Sequence, residues 1–586
     1  MASRNWIVAP RLADTVIPQL LANRGIYSEK AKSSFLEPLY PRDTYDPFLF
    51  DDMKKGVDRI FFALQHNQRI GIYGDYDVDG VCATTVLYET LRALRGDVIV
   101  HMNHREQDGY GLCKEALEKM AHNGVNLIIT NDCGISNIDE VALANALGMD
   151  VIITDHHAAA ASGVIPSALA IIHPCVHADR YPFKKISGTG SAFKLVQGLL
   201  RADFNESYVQ WRMESLDISG SPINWEHFEK WLLDAVAIGT VGDCMPLIDE
   251  NRVFVRYGLM VLKKTRRKAL SYFLREHHPY KELSVKSISF FIAPRINAAS
   301  RMGHGVLGFE MMVEQDEQKA IMIANELQDK NTQRQKLSDR VFKEACALLQ
   351  DQYDRLQNVL VGWSESWPLG VLGLVANKLT DHFNGKPVFL FTYAHGNHIA
   401  GTARSGNGFH ITQALNATSQ FFTRHGGHAC AGGFALKEAI NPQELHDALE
   451  CYADSLTGNS KKIITSKSIA IESEIHFTDA TWELATFIQQ CEPFGEGNPK
   501  PLFLIKNIEF VSLEWIGTRK NHLRILGKNG DSQKKLIGFS FSPYKKIAKV
   551  GGIYDIVAEL EKNSWNGSEE IQFTLKDIAY AGEKTS

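Results

Sequence analysis

The chain has 586 residues, 44% of them hydrophobic, and a net charge of -5. That predicts three or four globular domains and excludes a global basic field, so any nucleic-acid partner meets a local patch. Its nine cysteines never form C-x-x-C, which excludes a zinc ribbon and a disulfide framework and fits reduced thiols in a cytoplasmic protein. The opening MASRNWIVAPRLADTVIPQLL lacks a continuous apolar stretch behind a basic start, and no apolar run is long enough to span a bilayer; neither a leader nor a membrane partner is expected.

In chain order, residues 1–55 are expected as an extension packed on a catalytic core. Over 56–308, β-branched runs recur: RIGIYGD (69–75), VIVHMN (98–103), NLIITND (126–132), VIITDHH (151–157) and ALAIIHP (168–174). Pieces with helical spacing, such as LCKEALEKMAH and IDEVALANALG, lie between them. This rhythm predicts an α/β fold with a doubly wound, mostly parallel sheet. A stretch from Phe309 to Val361 has no Gly or Pro and predicts one long connecting helix over 309–355. NVLVGW, KPVFLF and HIAGTARS then predict a second α/β domain over 356–460, and the short β-like runs of 461–586 a small OB-like β-barrel.

Three of the first strands end in polar groups: Asp75, then Asn131-Asp132, then Asp155-His156-His157. Ligands in open α/β sheets sit at the carboxyl ends of strands. The first of these ends opens YGDYDVDG, with Asp75, Asp77 and Asp79 at alternate positions. Like charges this close raise each other's pKa unless a cation lies between them. A solvated turn is one reading. An EF-hand loop is excluded, because the twelfth residue from Asp75 is Val86 and a strand, not a helix, precedes the motif. The third reading is a metal site completed from the other strand ends and from Asp243 in AIGTVGDCMPL. Such a set can hold two divalent ions about 3.5–4 Å apart and support phosphoryl transfer. Its imidazole favours manganese, with magnesium the alternative.

GDYDVDG, NDCGIS, TDHH and GTVGDCMPL resemble, in order, the signature motifs of the DHH phosphoesterases. LLANRGIYSEKAKSSFLEP, SGTGSAFKL, PRINAASRMG, GTARS, RHGGHACAGGF and CEPFGEGNPKPLF are similar to the RecJ branch, and the resemblance covers nearly the whole chain. It implies a 5′→3′ exonuclease specific for single-stranded DNA. The enzyme would release 5′-mononucleotides and act in recombination, base-excision and mismatch repair. A helicase and a single-strand-binding protein are the candidate partners. Asp75, Asp77, Asp79, Asp132, His156 and Asp243 match the family's metal ligands, and which of the first three bridges the ions stays open. His157 matches a histidine near the scissile phosphate, with Asp155 orienting an imidazole. Arg105, Tyr110, Arg295, Asn297 and Arg301 would line the substrate cleft. Thr402 and Arg404 would grip the 5′ end, and Gly426, Gly427 and His428 would form a phosphate-binding loop. The chain departs from the pattern at Asn131, at Ser300 and in the residues after DHH, and none of these removes a ligand.

In the barrel, nine Lys or Arg between Arg519 and Lys549 stand against one acid, Asp531, with Trp515, Phe539, Phe541 and Tyr544 near or among them. A basic groove with stacking rings is how OB-folds hold single strands. A chain ending near residue 465 is therefore expected to keep the metal site and lose affinity for long strands. Two rival readings are a DHH enzyme acting on small nucleotides, usually a shorter chain without the basic barrel, and an inactive scaffold, which would have eroded metal motifs.

Overall fold

The computed structural model describes residues 5–104, 109–159, 163–176, 180–217, 219–278, 282–302, 305–393, 399–406, 408–437, 440–457, 468–565 and 568–581. Two compact units form. One comprises Ser33–Gln333 with Glu492–Pro499; the other comprises Met1–Lys32, Arg334–Cys491 and Lys500–Ser586.

The chain opens on strand β1 (Asn5–Val8), whose parallel partner β12 (Ser468–Ile471) comes more than four hundred residues later. The unit built around Ser33–Gln333, expected to be the catalytic one, follows with β2 (Arg69–Gly74), β3 (Asp97–Met102), β4 (Val125–Asn131), β5 (Asp150–Thr154) and β6 (Ala170–Ile172). They form a wholly parallel sheet in the order β3-β2-β4-β5-β6. The central strands are apolar on both sides because both faces are covered. Ile70, Ile72, Leu127, Ile129 and Ile152 pack with the helices Met53–Gln65, Val78–Ala93 and Gly188–Leu200. Tyr73, Ile128, Val151 and Ile153 pack with Lys114–His122 and Ile138–Ala146.

The register explains the polar rim. Gly74 lies opposite Asn131, and Asn131 opposite Thr154. The ladder continues one residue further: Asp75 N–H donates to Asn131 O (3.4 Å), Asp132 N–H to Thr154 O (2.9 Å) and Asp155 N–H to Ile172 O (3.3 Å). Three successive strands thus deliver an aspartate at the same height on one edge.

The expected single helix over 309–355 is two helices, Gly305–Val313 and Glu317–Asp354. No Gly or Pro makes the break. Asp316 does: its carboxylate accepts the N–H of Lys319 (2.9 Å), as an N-cap does. The 38-residue second helix gives Ala320, Ala324 and Leu327 to the catalytic core and Val341, Ala345 and Leu349 to the next one.

In the other unit, β7 (Leu360–Trp363), β8 (Val388–Tyr393), β9 (Ile399–Arg404), β10 (Phe422–Gly427) and β11 (Ala431–Leu436) form a mixed sheet, order β10-β11-β9-β8-β7. The helix Leu369–His382 covers one face, and Ile411–Ala417 with Pro442–Thr457 the other. β13 (Ser473–Glu474) then leads to the barrel strands β14 (Phe503–Ile516), β15 (His522–Asn529), β16 (Ser532–Gly538), β17 (Ile553–Trp565) and β18 (Ser568–Tyr580). β14 is long enough to pair with β15 through one half and β17 through the other, which closes the five strands into a barrel. Closure removes the exposed edges. No helix among the described residues is long and apolar enough to cross a membrane.

One expected boundary is corrected. Residues 1–55 do not pack as one extension of the catalytic core. β1 pairs with β12, and Arg24 forms an ion pair with Glu472 (2.5 Å), so only residues from Ser33 onward join the catalytic unit. Within 461–586, Glu492–Pro499 packs with the catalytic unit while the residues on either side do not. Arg252 holds it there, donating to Glu492 O (2.8 Å) and Pro493 O (3.3 Å).

Candidate metal centre

The chain leaves β2 at Gly74 and enters the helix Val78–Ala93 through Asp75-Tyr76-Asp77. Asp77 is its N-cap, and Oδ1 accepts the N–H groups of Asp79 (2.9 Å) and Gly80 (3.2 Å). This local duty leaves Oδ2 for a ligand bond. Asp79 is fully buried, and its carboxylate sits on the N-terminus of the helix Gly188–Leu200. Gly188 N–H (2.7 Å), Thr189 N–H (3.0 Å) and the Thr189 hydroxyl (2.6 Å) all donate to it. A helix N-terminus stabilises such an anion. The SGTG motif, to which the sequence assigned no role, thus fastens one of the three aspartates. Gly188 also makes room for the second strand end, since a Cβ there would lie 2.4 Å from Asp132 Oδ1.

Asp132 adopts φ 57°, which turns the chain sharply off β4. His156 Nε2 stands 3.2 Å from Asp132 Oδ1, 3.6 Å from Asp243 Oδ2 and 3.8 Å from Asp79 Oδ2. Ligand atoms converge in three overlapping groups: Asp75, Asp77 and Asp132; Asp132, His156 and His157; and Asp79, His156 and Asp243. Asp132 Oδ1 and His156 Nε2 are buried, yet neither makes a hydrogen bond among the described residues. Buried polar atoms rarely stay unsatisfied. Oxygen-rich donors with one or two imidazoles fit divalent cations such as Mn2+.

Asp155 works differently. Oδ1 accepts from the N–H groups of His156 (2.7 Å) and His157 (3.1 Å) and bonds His157 Nδ1 (2.9 Å), while Oδ2 accepts from Ile135 N–H (3.1 Å). It therefore orients the His157 ring through Nδ1. His173, another residue without a sequence signal of its own, bonds the His157 carbonyl through Nε2 (2.8 Å). Tyr110 completes the wall, its ring 5.1 Å from that of His157 and its hydroxyl donating to Asp132 O (3.4 Å).

Electrostatics records the crowding. Burial, then the charges of Asp79, Asp77, Asp75 and Asp243, push the Asp132 carboxyl well above the usual range. Burial, then Asp79 and Asp77, push Asp243 up to about 8. Burial lowers the His156 imidazole. Burial opposes ionisation of Asp155 too, but the hydrogen bond and charge of His157 bring it down to about 2. Burial also opposes His157, and Asp155 outweighs it, raising the imidazole to about 9. A carboxyl raised on folding penalises the native state once ionised. A raised imidazole contributes stability below its ordinary value of 6.5 that is lost as pH rises through about 9. Between pH 6.5 and 8, Asp243 and His157 act in the same direction, and His156, lowered from 6.5, opposes them only at the lower edge, where the unfolded imidazole still loses its proton. The chelated protein is therefore expected to melt at a falling temperature across this window. Mn2+ should flatten the slope. Thermal melts with and without chelator check this, and a flat chelated profile would contradict it.

The remaining site residues divide. Arg105 lies outside the described residues. Arg295 does not simply face a cleft: Nη1 donates to Phe290 O (3.2 Å) and Phe291 O (3.0 Å), Nε to Gln328 (3.3 Å), and its guanidinium lies 4.3 Å from the centre of the Phe291 ring. Asn297 Oδ1 accepts the N–H of Val78 (2.9 Å) and so helps cap the helix that carries Asp79. Both thus make local structural contacts. Arg301 is half-buried on the same helix, Ala293–Arg301.

In the other unit, Thr402 lies opposite Gly433, and Gly433 opposite Gly426, in one row across β9, β11 and β10. Arg404 Nη1 donates to Thr402 Oγ1 (2.9 Å). Gly427 (φ 142°) begins the turn that carries an exposed His428. These are the residues expected to grip phosphate, and the sheet brings them together.

The barrel's aromatic set shrinks. Phe541 and Tyr544 are buried, stacked at 4.5 Å, with Tyr544 bonded to Asp577 (2.5 Å), so they are core rather than groove. Lys535 pairs with Glu570 (2.7 Å) and Arg524 with Glu514 (3.2 Å). What remains on the surface is Phe539, 59% exposed, and a half-buried Trp515 with Lys545 Nζ 5.2 Å from its ring centre.

Three family models match this chain: the DHH family, N-terminal domain, over residues 69–240; the DHHA1 domain over 356–455; and the RecJ OB domain over 471–577. The single-stranded-DNA-specific exonuclease RecJ of Bacillus subtilis (strain 168) is 32% identical over 565 residues, covering 96% of this chain and 68% of that protein. The single-stranded-DNA-specific exonuclease RecJ of Thermus thermophilus is 31% identical over 518 residues, covering 88% of this chain and 69% of that protein. A crystal structure of RecJ in complex with Mn2+ from Thermus thermophilus matches with a TM-score of 0.76 at 25% identity, covering 99% of this chain and 81% of that one. With its aspartates and histidines gathered on the rim of a DHH sheet, and a DHHA1 domain and a RecJ OB barrel after it, the chain belongs to the RecJ family of DHH proteins.

Proposed function

We propose that this chain is a metal-dependent exonuclease that degrades single-stranded DNA from the 5′ end to 5′-mononucleotides, in the cytoplasm, during recombination and repair. The observation that carries the reading is the pair of unsatisfied buried atoms, Asp132 Oδ1 and His156 Nε2, at the centre of three groups of ligand atoms. Relatives named as single-stranded-DNA-specific exonucleases, and one solved with Mn2+, support it.

Asp75, Asp77, Asp79, Asp132, His156 and Asp243 would hold two divalent cations, Asp132 belonging to two of the groups of ligand atoms. When bound, such a pair supplies a hydroxide nucleophile at neutral pH and neutralises the phosphoryl oxygens. Asp155 keeps His157 in one orientation through Nδ1, and Nε2 would then meet a phosphate oxygen or the leaving group. Thr402, Arg404, Gly426, Gly427 and His428 would bind the 5′-terminal phosphate, for which the planar guanidinium of Arg404 is suited. A helicase and a single-strand-binding protein are its candidate partners, since the one generates single strands and the other holds them.

The test is degradation of end-labelled single-stranded and duplex oligonucleotides with manganese, magnesium or chelator. Single strands should disappear with manganese and persist with chelator, and a bulky 5′ group should slow the reaction. Equal rates for 5′-blocked and 3′-blocked strands would contradict the 5′-end assignment. For the barrel, Trp515→Ala and Phe539→Ala are each expected to weaken binding of a long single strand by roughly 1–3 kcal/mol. Fluorescence anisotropy in chelator measures this apart from cleavage, and unchanged affinity in the double variant would remove the patch from the DNA path.

A further inference from the structure

One motif has no part in that reaction: CEPFGEGNPKPLF. Its middle, Glu492–Pro499, joins the catalytic unit although the residues on either side of it do not. The segment is held rigidly. Arg252 is buried, with its guanidinium 4.1 Å from the centre of the Phe35 ring, and it donates to the carbonyls of Phe35 (2.8 Å), Glu492 (2.8 Å) and Pro493 (3.3 Å). Asn498 is 1% exposed and closes the turn, donating from Nδ2 to Pro493 O (2.9 Å) and exchanging both backbone hydrogen bonds with Gly495 (3.0 and 3.2 Å).

This turn meets the loop that starts at Asp243. Leu247 N–H donates to Glu496 O (2.7 Å). Gly497, at φ +68°, stands so close that a Cβ there would lie 2.7 Å from Pro246 Cβ. On the other side, Asn251 Nδ2 holds Pro246 O (3.1 Å) and Lys185 O (2.7 Å). Between helix end and tether, Cys244 (φ 57°) closes the helix, its N–H donating to Val241 O (3.2 Å) and Met245 N–H to Thr240 O (3.1 Å), so the chain passes directly from Asp243 into the held residues Pro246 and Leu247. Asp243 immediately precedes it and presents Oδ2 3.6 Å from His156 Nε2.

We propose that Glu492–Pro499 is a positioning element for the metal centre: the Glu496 carbonyl and the close fit of Gly497 on Pro246 hold the Asp243–Leu247 loop, and so fix the Asp243 carboxylate where a divalent cation needs it. This rests on the metal-centre reading above. Residues that orient a metal ligand commonly carry about 10–100-fold in affinity.

The experiment uses the full chain and Mn2+ alone as probe, followed by electron paramagnetic resonance, with oligonucleotide kinetics beside it. Gly497→Ala should raise the Mn2+ dissociation constant and the half-activating Mn2+ concentration by about tenfold. At saturating Mn2+ its kcat should largely recover, with KM for the oligonucleotide unchanged. Gly551→Ala is the control: it imposes the same left-handed strain (φ +76°) where no atom lies within 4 Å of the new Cβ, and it should leave Mn2+ binding unaltered. Asn498→Ala adds no atom, so it carries the test if Gly497→Ala fails to fold, and it should move Mn2+ binding the same way. Mn2+ binding within about twofold of wild type in the folded variants would overturn the proposal. Failure of the wild-type chain to bind Mn2+ would instead remove the metal-centre reading itself.

Discussion

Replacing Asp132 with Ala is expected to abolish degradation of single-stranded DNA while leaving a folded chain. The carboxylate is 1% exposed, belongs to two of the three groups of ligand atoms, and is pushed toward its protonated form by burial and by four neighbouring aspartates. Its loss removes the ligand common to both groups. Metal stabilisation of the transition state is worth several kcal/mol, so turnover at saturating Mn2+ should fall on the order of 10³-fold or more. The same change relieves crowding in the metal-free protein, with one counter-effect: φ 57° suits Asp or Asn, and Ala there costs about 1–2 kcal/mol. Asp132→Asn keeps the backbone preference and removes the charge. It is therefore the variant expected to melt at a higher temperature than wild type in chelator at neutral pH. Near-wild-type turnover of Asp132→Ala at saturating Mn2+ would sink the two-metal assignment.

Ending the chain near residue 465 is expected to damage the catalytic unit as well as remove the barrel. From the sequence the opposite was expected, because every metal ligand lies earlier. The structure places Glu492–Pro499 against Arg252 and Leu247. Truncation would strip Arg252, only 2% exposed, of two carbonyl acceptors. An unsatisfied buried donor costs about 1–3 kcal/mol, and more for a charged group. Truncation would also take β12 from β1 and Glu472 from Arg24. The shortened chain should melt earlier, be cut readily by protease between Ser33 and Gln333, and bind Mn2+ more weakly. A truncated chain with the melting temperature and Mn2+ affinity of the full one would show that the excursion is dispensable.

Much of the site was legible because a parallel sheet converts sequence position into place. Asp75, Asp132 and Asp155 each follow the last residue of a strand, and in-register strands end on one edge. Strand ends and the doubly wound sheet follow from hydrophobic period and β-branched content, which are local properties, whereas closure of the barrel depends on the distant pairing of β14 with β17. The same locality hid the break at Asp316, where a side-chain cap ends one helix and starts another in a stretch of good helix formers.

What the amino-acid order determined by itself, then, was the set of metal-binding residue types and the edge on which they gather. Which carboxylate does what was decided by tertiary contacts. Asp79 is held by Gly188 and Thr189, more than a hundred residues on, while Asp155 is spent on His157. Asn297 caps a helix that begins 219 residues before it, and Phe541 and Tyr544 turn inward to Asp577. The tether on the Asp243 loop is the least legible of all. Its acceptors are backbone carbonyls, which every residue carries, so no side-chain pattern marks them. Only the folded path of the chain brings Glu496 and Gly497 to Leu247 and Pro246, where hydrogen bonding and steric fit, rather than composition, hold the loop that starts at Asp243.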